Sequence, residues 1–312
     1  MVLGDAVPVP IRLRGGWGLV RGVRTSEGER VRVLQVGGVY QSATYLGPRR
    51  MEPVFSYYRA FDLAFTVRPK TRRALMIGGG GYAWPKHVLA CRSGNVTVDV
   101  VEIDPAVTYA ALRWFYLDEA MAQHPGRLRL VTDDGRAYLE RYGEELARGG
   151  ALPGAGRPSG GEALSGAARP SGSEALPGAA RPPRGKEPSG TVRSPRGEAR
   201  AYDAIVLDAF AGAEPVRSLA TVEAARAAKA CLAPDGLVLA NVVSADGGAD
   251  VSFLCDVVAT FSEVFSHVHI TLCEDEEFAV EDNYLVIATD GDWAVPNDIP
   301  FDGDFPGTAL WD

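Results

Sequence analysis

Ala74-Leu75-Met76-Ile77-Gly78-Gly79-Gly80-Gly81-Tyr82 is the stretch on which the fold turns. A short apolar run breaks into four consecutive glycines, and Ala83-Trp84-Pro85-Lys86-His87-Val88-Leu89-Ala90 then reads as a helix. Glycines between a buried strand and a helix let backbone N–H groups approach a ligand where a side chain would collide. Three later apolar runs end in acidic residues. With the glycine turn they indicate a nucleotide-type site in an α/β sheet.

Outward from this turn the chain alternates. Strands are expected at 74–78, 97–103, 127–132, 203–208, 236–243, 267–272 and 284–289, and helices at 84–92, 105–121, 136–147, 218–232 and 249–264. Runs such as Ala204-Ile205-Val206-Leu207 and Leu237-Val238-Leu239-Ala240 are continuously apolar, as in a parallel sheet covered on both faces. Alternation of this kind implies right-handed crossovers and a doubly wound sheet. The last two strands are expected as an antiparallel pair at one edge. Before residue 70 the pattern changes. Val31–Val36 alternates, Gly37-Gly38 makes a turn, Val39–Tyr45 reads as a second strand, and a helix is expected around 53–66.

Residues 149–200 stand apart. A twelve-residue unit recurs as ALPGAGRPSGGE (151–162), ALSGAARPSGSE (163–174) and ALPGAARPPRGK (175–186), with no aromatic residue between 151 and 200. One leucine per repeat buries too little surface to offset the entropy of ordering, so this segment reads as a disordered insertion. It carries eight basic and four acidic residues, so the formal charge of −8 for the whole chain becomes −12 for the remainder. An acidic body does not favour nucleic acid and suits a cationic substrate.

With 312 residues and 46% hydrophobic content there is ample material for a sizeable core. No apolar run reaches the ~18 residues that cross a bilayer, and Met1-Val2-Leu3-Gly4-Asp5 does not begin a secretory leader. Cys91, Cys231, Cys255 and Cys273 have no metal-type spacing, and three of them fall in apolar patterns that suit buried free thiols. These features predict a soluble cytoplasmic protein with no membrane and no nucleic-acid partner. His87, His124, His267 and His269 are expected to form no catalytic or metal constellation, and Tyr82 and Trp84 to pack the glycine turn.

The chemistry concentrates at strand ends. Val101-Glu102-Ile103-Asp104-Pro105 closes the second strand. Glu102, 24 residues after Gly78, is placed to bind ribose hydroxyls, while Asp104 reads as the cap of a helix that starts with Pro105. Asp133-Asp134-Gly135 closes the third strand. There Asp133 is as readily a turn residue as a ligand, and Asp134 is the better candidate to meet an adenine amino group. Leu207-Asp208-Ala209-Phe210 closes the fourth. Trp84 stands where a dinucleotide fingerprint requires glycine, which directs the reading to an S-adenosylmethionine-type site instead.

On Gly37–Ser42, Phe55–Tyr58, Ile77–Gly80, Val101–Asp104, Asp134-Gly135 and Tyr202–Asp208 the chain resembles the spermidine synthase (polyamine aminopropyltransferase) family, in a divergent branch. The resemblance implies a small N-terminal β-domain with its linking helix (1–70). It also implies a Rossmann-like, mostly parallel seven-stranded sheet of the class I methyltransferase type (71–148 and 201–292), a tail (293–312) and a homodimer. The co-substrate it implies is S-adenosylmethionine or its decarboxylated form, with a small-molecule acceptor such as a polyamine and no metal. It makes Asp208 the base that deprotonates the attacking amine. It gives the cofactor to Gly78, Gly79, Gly80, Gly81, Glu102, Ile103, Asp133, Asp134 and Gly135, and the substrate side to Gln41, Tyr57 and Tyr58.

Three positions depart from the family pattern. Gly81 and Ala211 stand where aspartates contact the aminopropyl end and the diamine, and Arg59 stands where an acid is usual. Gly81 is expected to leave open room. The acidic loop Glu274–Glu277, with Glu281 and Asp282, is a second source of cation affinity or a solvated turn. Aminopropyl transfer, methyl transfer and a non-catalytic adenosine-binding module all fit these residues.

Overall fold

A computed structural model of the chain describes residues 7–149, 199–211, 214–244, 249–273, 282–301 and 307–312. Nearly all of the expected insertion, the acidic positions 274–277 and 281, and the side chain of Ala211 lie outside the described residues.

The N-terminal part is a four-stranded antiparallel sheet, β1 (Val9–Leu13), β2 (Gly16–Arg24), β3 (Arg30–Val36) and β4 (Val39–Tyr45), in sequential order. The sequence had indicated only β3 and β4. Gly37 and Gly38 have φ of 58° and 91°, the left-handed pair that a tight hairpin turn requires. Pairing of β3 with β4 shifts between Leu34↔Ser42 and Gln35↔Tyr40, so Gln41 is the extra residue of a β-bulge. A bulge re-aims the side chains beside it, and this one faces the glycine turn.

The main sheet contains β5 (Arg73–Ile77), β6 (Thr97–Glu102), β7 (Leu128–Thr132), β8 (Tyr202–Leu207), β11 (Leu232–Val243), β12 (His267–Cys273) and β13 (Asn283–Thr289). A two-residue pair, β9 (Phe210–Ala211) and β10 (Glu214–Pro215), stands apart from it. The strand order is β12-β13-β11-β8-β5-β6-β7. From β5 the chain winds outward through β6 to β7, then returns to β8 on the other side and winds the opposite way. The crevice at the carboxyl ends of β5 and β8 is therefore the topological switch point, the position at which open α/β sheets bind ligands. β12 and β13 are antiparallel as expected, but β13 is inserted between β11 and β12 and is antiparallel to both, which leaves β12 at the edge.

Each face of the sheet has its own core. Ala74, Met76, Val98, Val206 and Leu239 join the N-terminal sheet, Phe61 and Trp84 in one cluster, so both sheets share a single dry interior. Leu75, Ile77, Ile205 and Val238 form the other cluster. This second face is covered by α6 (Gly135–Ala147), α7 (Val222–Ala230) and α8 (Ser252–Ser262).

Three expected helices are interrupted. The 53–66 helix is two single turns, α1 (Tyr57–Ala60) and α2 (Leu63–Thr66), because Pro53 bridges to Thr44 as a strand residue. The 105–121 helix divides into α4 (Pro105–Trp114) and α5 (Leu117–Gln123), separated by Tyr116 at φ 59°. The break is filled from below. The buried Lys86 of α3 (Ala83–Cys91) donates to Phe115 O at 2.6 Å, Thr44 Oγ1 at 3.1 Å and Arg50 O at 3.3 Å. The 218–232 pattern becomes a 3-10 turn at Arg217–Leu219 followed by α7, whose start Thr221 caps by accepting from Ala224 N. Residues 307–312 pack back on the domain. Val222 N donates to Leu310 O, and Asp312 pairs with Arg136 at 2.7 Å. Among the described residues no helix is long and apolar enough to cross a membrane.

Candidate active site

The glycine turn is tight for reasons intrinsic to the chain. Gly78 has φ 92°, and a Cβ there would stand 2.1 Å from Asp208 O, so only glycine lets the ends of β5 and β8 meet. Asp208 N donates to Ile77 O at 2.9 Å, which fixes Asp208 over the turn. A Cβ on Gly79 would strike the ring of Tyr82, which is fully buried with Trp84 as expected. Gly135 lets the start of α6 press on Ile77, where a Cβ would come within 2.3 Å.

Glu102 is buried at the end of β6. Its Oε2 accepts from Gly79 N at 2.8 Å and its Oε1 from Asp104 N at 2.9 Å. Burial raises the Glu102 pKa, and the N–H groups of Asp104, Gly79 and Gly80 pull it back. Each carboxylate oxygen accepts more than one hydrogen bond, so Glu102 retains capacity for hydroxyl donors while the backbone fixes its orientation. Beside it Ile103 is an apolar side chain that is 42% exposed.

The neighbouring aspartates hold the framework. Asp104 caps α4 by accepting from Ala106 N at 2.9 Å, and its other oxygen accepts from Arg14 N in the β1–β2 turn at 2.5 Å. Asp134, favoured as a ligand from sequence, caps α6 through Ala137 N at 2.9 Å, and its exposed carboxylate keeps accepting capacity. Asp133 accepts from Asp134 N and pairs with Arg141. Both lie at the crevice rim, since Asp133 N donates to Glu102 O at 3.1 Å.

Asp208 is half-buried. Asn241 Nδ2 donates to its Oδ1 at 3.0 Å. Burial pushes the carboxyl up to about 7, with the Asn241 hydrogen bond opposing. Asn241 was not picked out from sequence, although a lone amide at the carboxyl end of the apolar run Leu237–Val243 is the signal that marks it. Tyr58 lies close enough for the Asp208 charge to add to burial in raising its phenol pKa. The Tyr57 and Tyr58 rings are tilted at 31° to each other with centroids 4.2 Å apart. A Cβ on Gly80 would stand 3.6 Å from both Gln41 O and Tyr58 hydroxyl. The bulge on β4 and helix α1 therefore lie against the glycine turn, with Gln41 O and the Tyr58 hydroxyl beside Gly80 and Tyr57 beside Tyr58.

Gly81 differs from expectation. It is buried, and a Cβ there would meet Ser42 Oγ at 2.3 Å and Phe115 Cδ1 at 3.0 Å. The space that an acidic side chain would need is filled by a serine from the bulged strand. Ser42 Oγ is itself buried beside the Tyr58 hydroxyl without a well-formed hydrogen bond. Arg59 turns outward to Glu52 at 3.8 Å. His87 contacts both Asp62 and Cys91. Among the described residues no group of three or more His, Cys, Asp or Glu is arranged to hold a metal ion.

No protein-family model matches the chain. A polyamine aminopropyltransferase of Vibrio vulnificus (strain CMCP6) is 35% identical over 103 residues, 33% of this chain and 32% of that protein. The match thus spans about a third of the relative's length. Among solved structures, a probable spermidine synthase from Corynebacterium glutamicum ATCC 13032 superposes with a TM-score of 0.59 at 17% identity, covering 92% of this chain and 81% of that one. A spermidine synthase in complex with the transition state analogue AdoDATO gives 0.54 at 15% identity, covering 92% and 80%. The chain shares the fold of these proteins, a mostly parallel seven-stranded α/β sheet with a small antiparallel sheet before it.

Proposed function

We propose that this chain is a spermidine synthase-like transferase that binds a sulfonium nucleoside of the S-adenosylmethionine type at the β5–β8 switch point and transfers its aminopropyl group to an amine such as a polyamine. The observation that carries this reading is the placement of Asp208, held over the glycine turn by its N–H to Ile77 O and by Asn241, where burial raises its carboxyl pKa. A base tuned close to ambient pH combines a useful deprotonated fraction with real proton affinity. In this reading Glu102 and the turn Gly78–Gly81 hold the ribose end, Ile103 supports the adenine, and Asp133, Asp134 and Gly135 border it. Gln41, Tyr57 and Tyr58 cover the acceptor. Asp208 orients the acceptor ammonium and takes its proton as nitrogen attacks the carbon next to sulfur, which departs as a neutral thioether. The 35% identity to a polyamine aminopropyltransferase and the AdoDATO ligand of a protein of the same fold support this choice. We further place the protein in the cytoplasm as a homodimer.

Methyl transfer is the second reading, and one observation favours it. Position 81 offers no carboxylate and its space is taken by Ser42, so nothing there repels the carboxylate of an intact methionine tail. Isothermal titration with S-adenosylmethionine, its decarboxylated form and methylthioadenosine separates the readings. Tighter binding of the decarboxylated form, with mass-spectrometric detection of an aminopropylated amine, supports aminopropyl transfer. Tighter binding of the intact cofactor supports methyl transfer. Failure of all three ligands to bind refutes both.

A further inference from the structure

Asp62 begins α2, but its side chain makes no capping hydrogen bond to that helix. Its carboxylate instead receives three side-chain donors. Trp84 Nε1 reaches Oδ1 at 3.0 Å, while His87 Nε2 and Arg92 Nη2 reach Oδ2 at 3.1 and 2.9 Å. Burial acts to raise the Asp62 pKa, but His87, Arg92 and Trp84 together hold it below its ordinary value, so the carboxylate is ionised at neutral pH. An ionised acceptor at Nε2 assigns the imidazole proton to that nitrogen and leaves Nδ1 as the lone pair. One turn further along α3, Cys91 Sγ lies 3.5 Å from that Nδ1. Trp84, His87 and Cys91 follow one another at i, i+3 and i+7, a single stripe of α3 against α2.

Cys91 is exposed, whereas Cys231, Cys255 and Cys273 are buried. Burial and the Asp62 charge push the Cys91 thiol above its ordinary pKa. Glu52 adds to this, while Arg92 and Arg59 oppose it. The thiol is therefore harder to ionise than a free cysteine, and a base beside it helps to form the thiolate. The order thiol, imidazole, carboxylate is the arrangement that activates a sulfur nucleophile.

We propose that Cys91 is a thiol–disulfide exchange site activated by His87 and Asp62, with low-molecular-weight disulfides as its substrate class. In the exchange His87 Nδ1 accepts the S–H proton while Cys91 Sγ attacks one sulfur of the disulfide. A Cys91 S–S bond forms, the disulfide of the reagent breaks with loss of a thiolate, and the proton passes from His87 to that thiolate or, where the thiolate is weakly basic, to water. Electrons balance without any further oxidant. Asp62 does not touch the reacting sulfur and acts as a positioning residue, holding the imidazole in the reactive tautomer.

The probe is 5,5′-dithiobis(2-nitrobenzoic acid) on the native full-length chain, with release of the coloured thiolate followed by stopped flow and the modified residue identified by mass spectrometry. One fast equivalent is expected at Cys91, abolished by Cys91→Ser and slowed at least about a hundredfold by His87→Ala, the low end of a general-base contribution. Fast reaction that persists in Cys91→Ser, or an unchanged rate in His87→Ala, overturns the proposal. Should His87→Ala fail to fold, the pH profile of the unaltered protein decides. A rate that levels off with rising pH while the thiol is still protonated supports the proposal, and one that climbs throughout with the thiol's own ionisation overturns it.

Discussion

Replacing Asp208 by asparagine should stabilise the protein while abolishing turnover, and the gain should depend on pH in a defined way. In the folded chain the carboxyl is pushed from 3.8 to about 7. Between those values the folded state holds a proton that the unfolded chain has released, so stability is greatest below 3.8, falls as pH rises and levels off above about 7. A gap of about three pH units at ~1.4 kcal/mol each limits the cost at pH 8 to about 4 kcal/mol. Partial contact with water reduces it, and about 1–3 kcal/mol is the expected range. Asparagine preserves the shape and the oxygen that accepts from Asn241, and it carries no ionisation. Thermal melts of both proteins without ligand at pH 5, 6, 7, 8 and 9 should show a gain that grows up to about pH 7 and is then constant, worth a few degrees at its largest. A gain that ignores pH, or an asparagine variant less stable at pH 8, would falsify the burial argument. Turnover of the unaltered enzyme should in turn rise with pH through about 7, as the base is freed.

Gly81→Asp should cost about 1–3 kcal/mol because its Cβ would meet Ser42 Oγ at 2.3 Å, and adding Ser42→Gly should restore most of that loss in a melting experiment. The double variant should also shift binding toward the decarboxylated cofactor, read by titration calorimetry. Burial lowers the Lys86 pKa to about 7, so its ammonium weakens the fold below that pH and the cost disappears as pH rises from 7 toward 10.5. Lys86→Met should flatten that rise in melting temperature, and an undiminished rise excludes Lys86 as its source. Deleting 151–198 should preserve the fold, because Arg200 is already docked on α6 through Tyr142 hydroxyl at 2.8 Å and a short loop suffices. A large drop in melting temperature would show that the segment contributes to the core.

The main sheet was legible because its central strands carry short apolar runs bounded by turn residues, as in Ala74–Ile77 and Ala204–Leu207. Glu102, Asp208 and the glycines followed from their places at strand ends. What stayed hidden depended on contacts far apart in sequence. Tyr116 breaks a good helical pattern because Lys86 holds the Phe115 carbonyl, and no local signal announces that. Gly81 read as open space because glycine shows what it lacks, not what its neighbour supplies, and Ser42 lies 39 positions earlier across a bulge that pairing alone defines. The cap that Asp134 gives α6 is not distinguishable in sequence from a ligand role, since the same carboxylate at a strand end serves either task. The Cys91–His87–Asp62 arrangement required α2 to pack beside α3.

Asp104 has a consequence for motion. Gly79 N–H donates to Glu102, Asp104 N–H donates to the same carboxylate, and Arg14 N–H donates to Asp104, so a single chain of hydrogen bonds runs from the glycine turn to the tip of the first hairpin. A nucleoside that engages Glu102 pulls on one end of that chain. Slower amide hydrogen exchange should therefore appear in the β1–β2 hairpin, including at Arg14, when ligand occupies the crevice. The N-terminal sheet then behaves as part of the binding apparatus, and damage at residue 14 should be felt as faster ligand release.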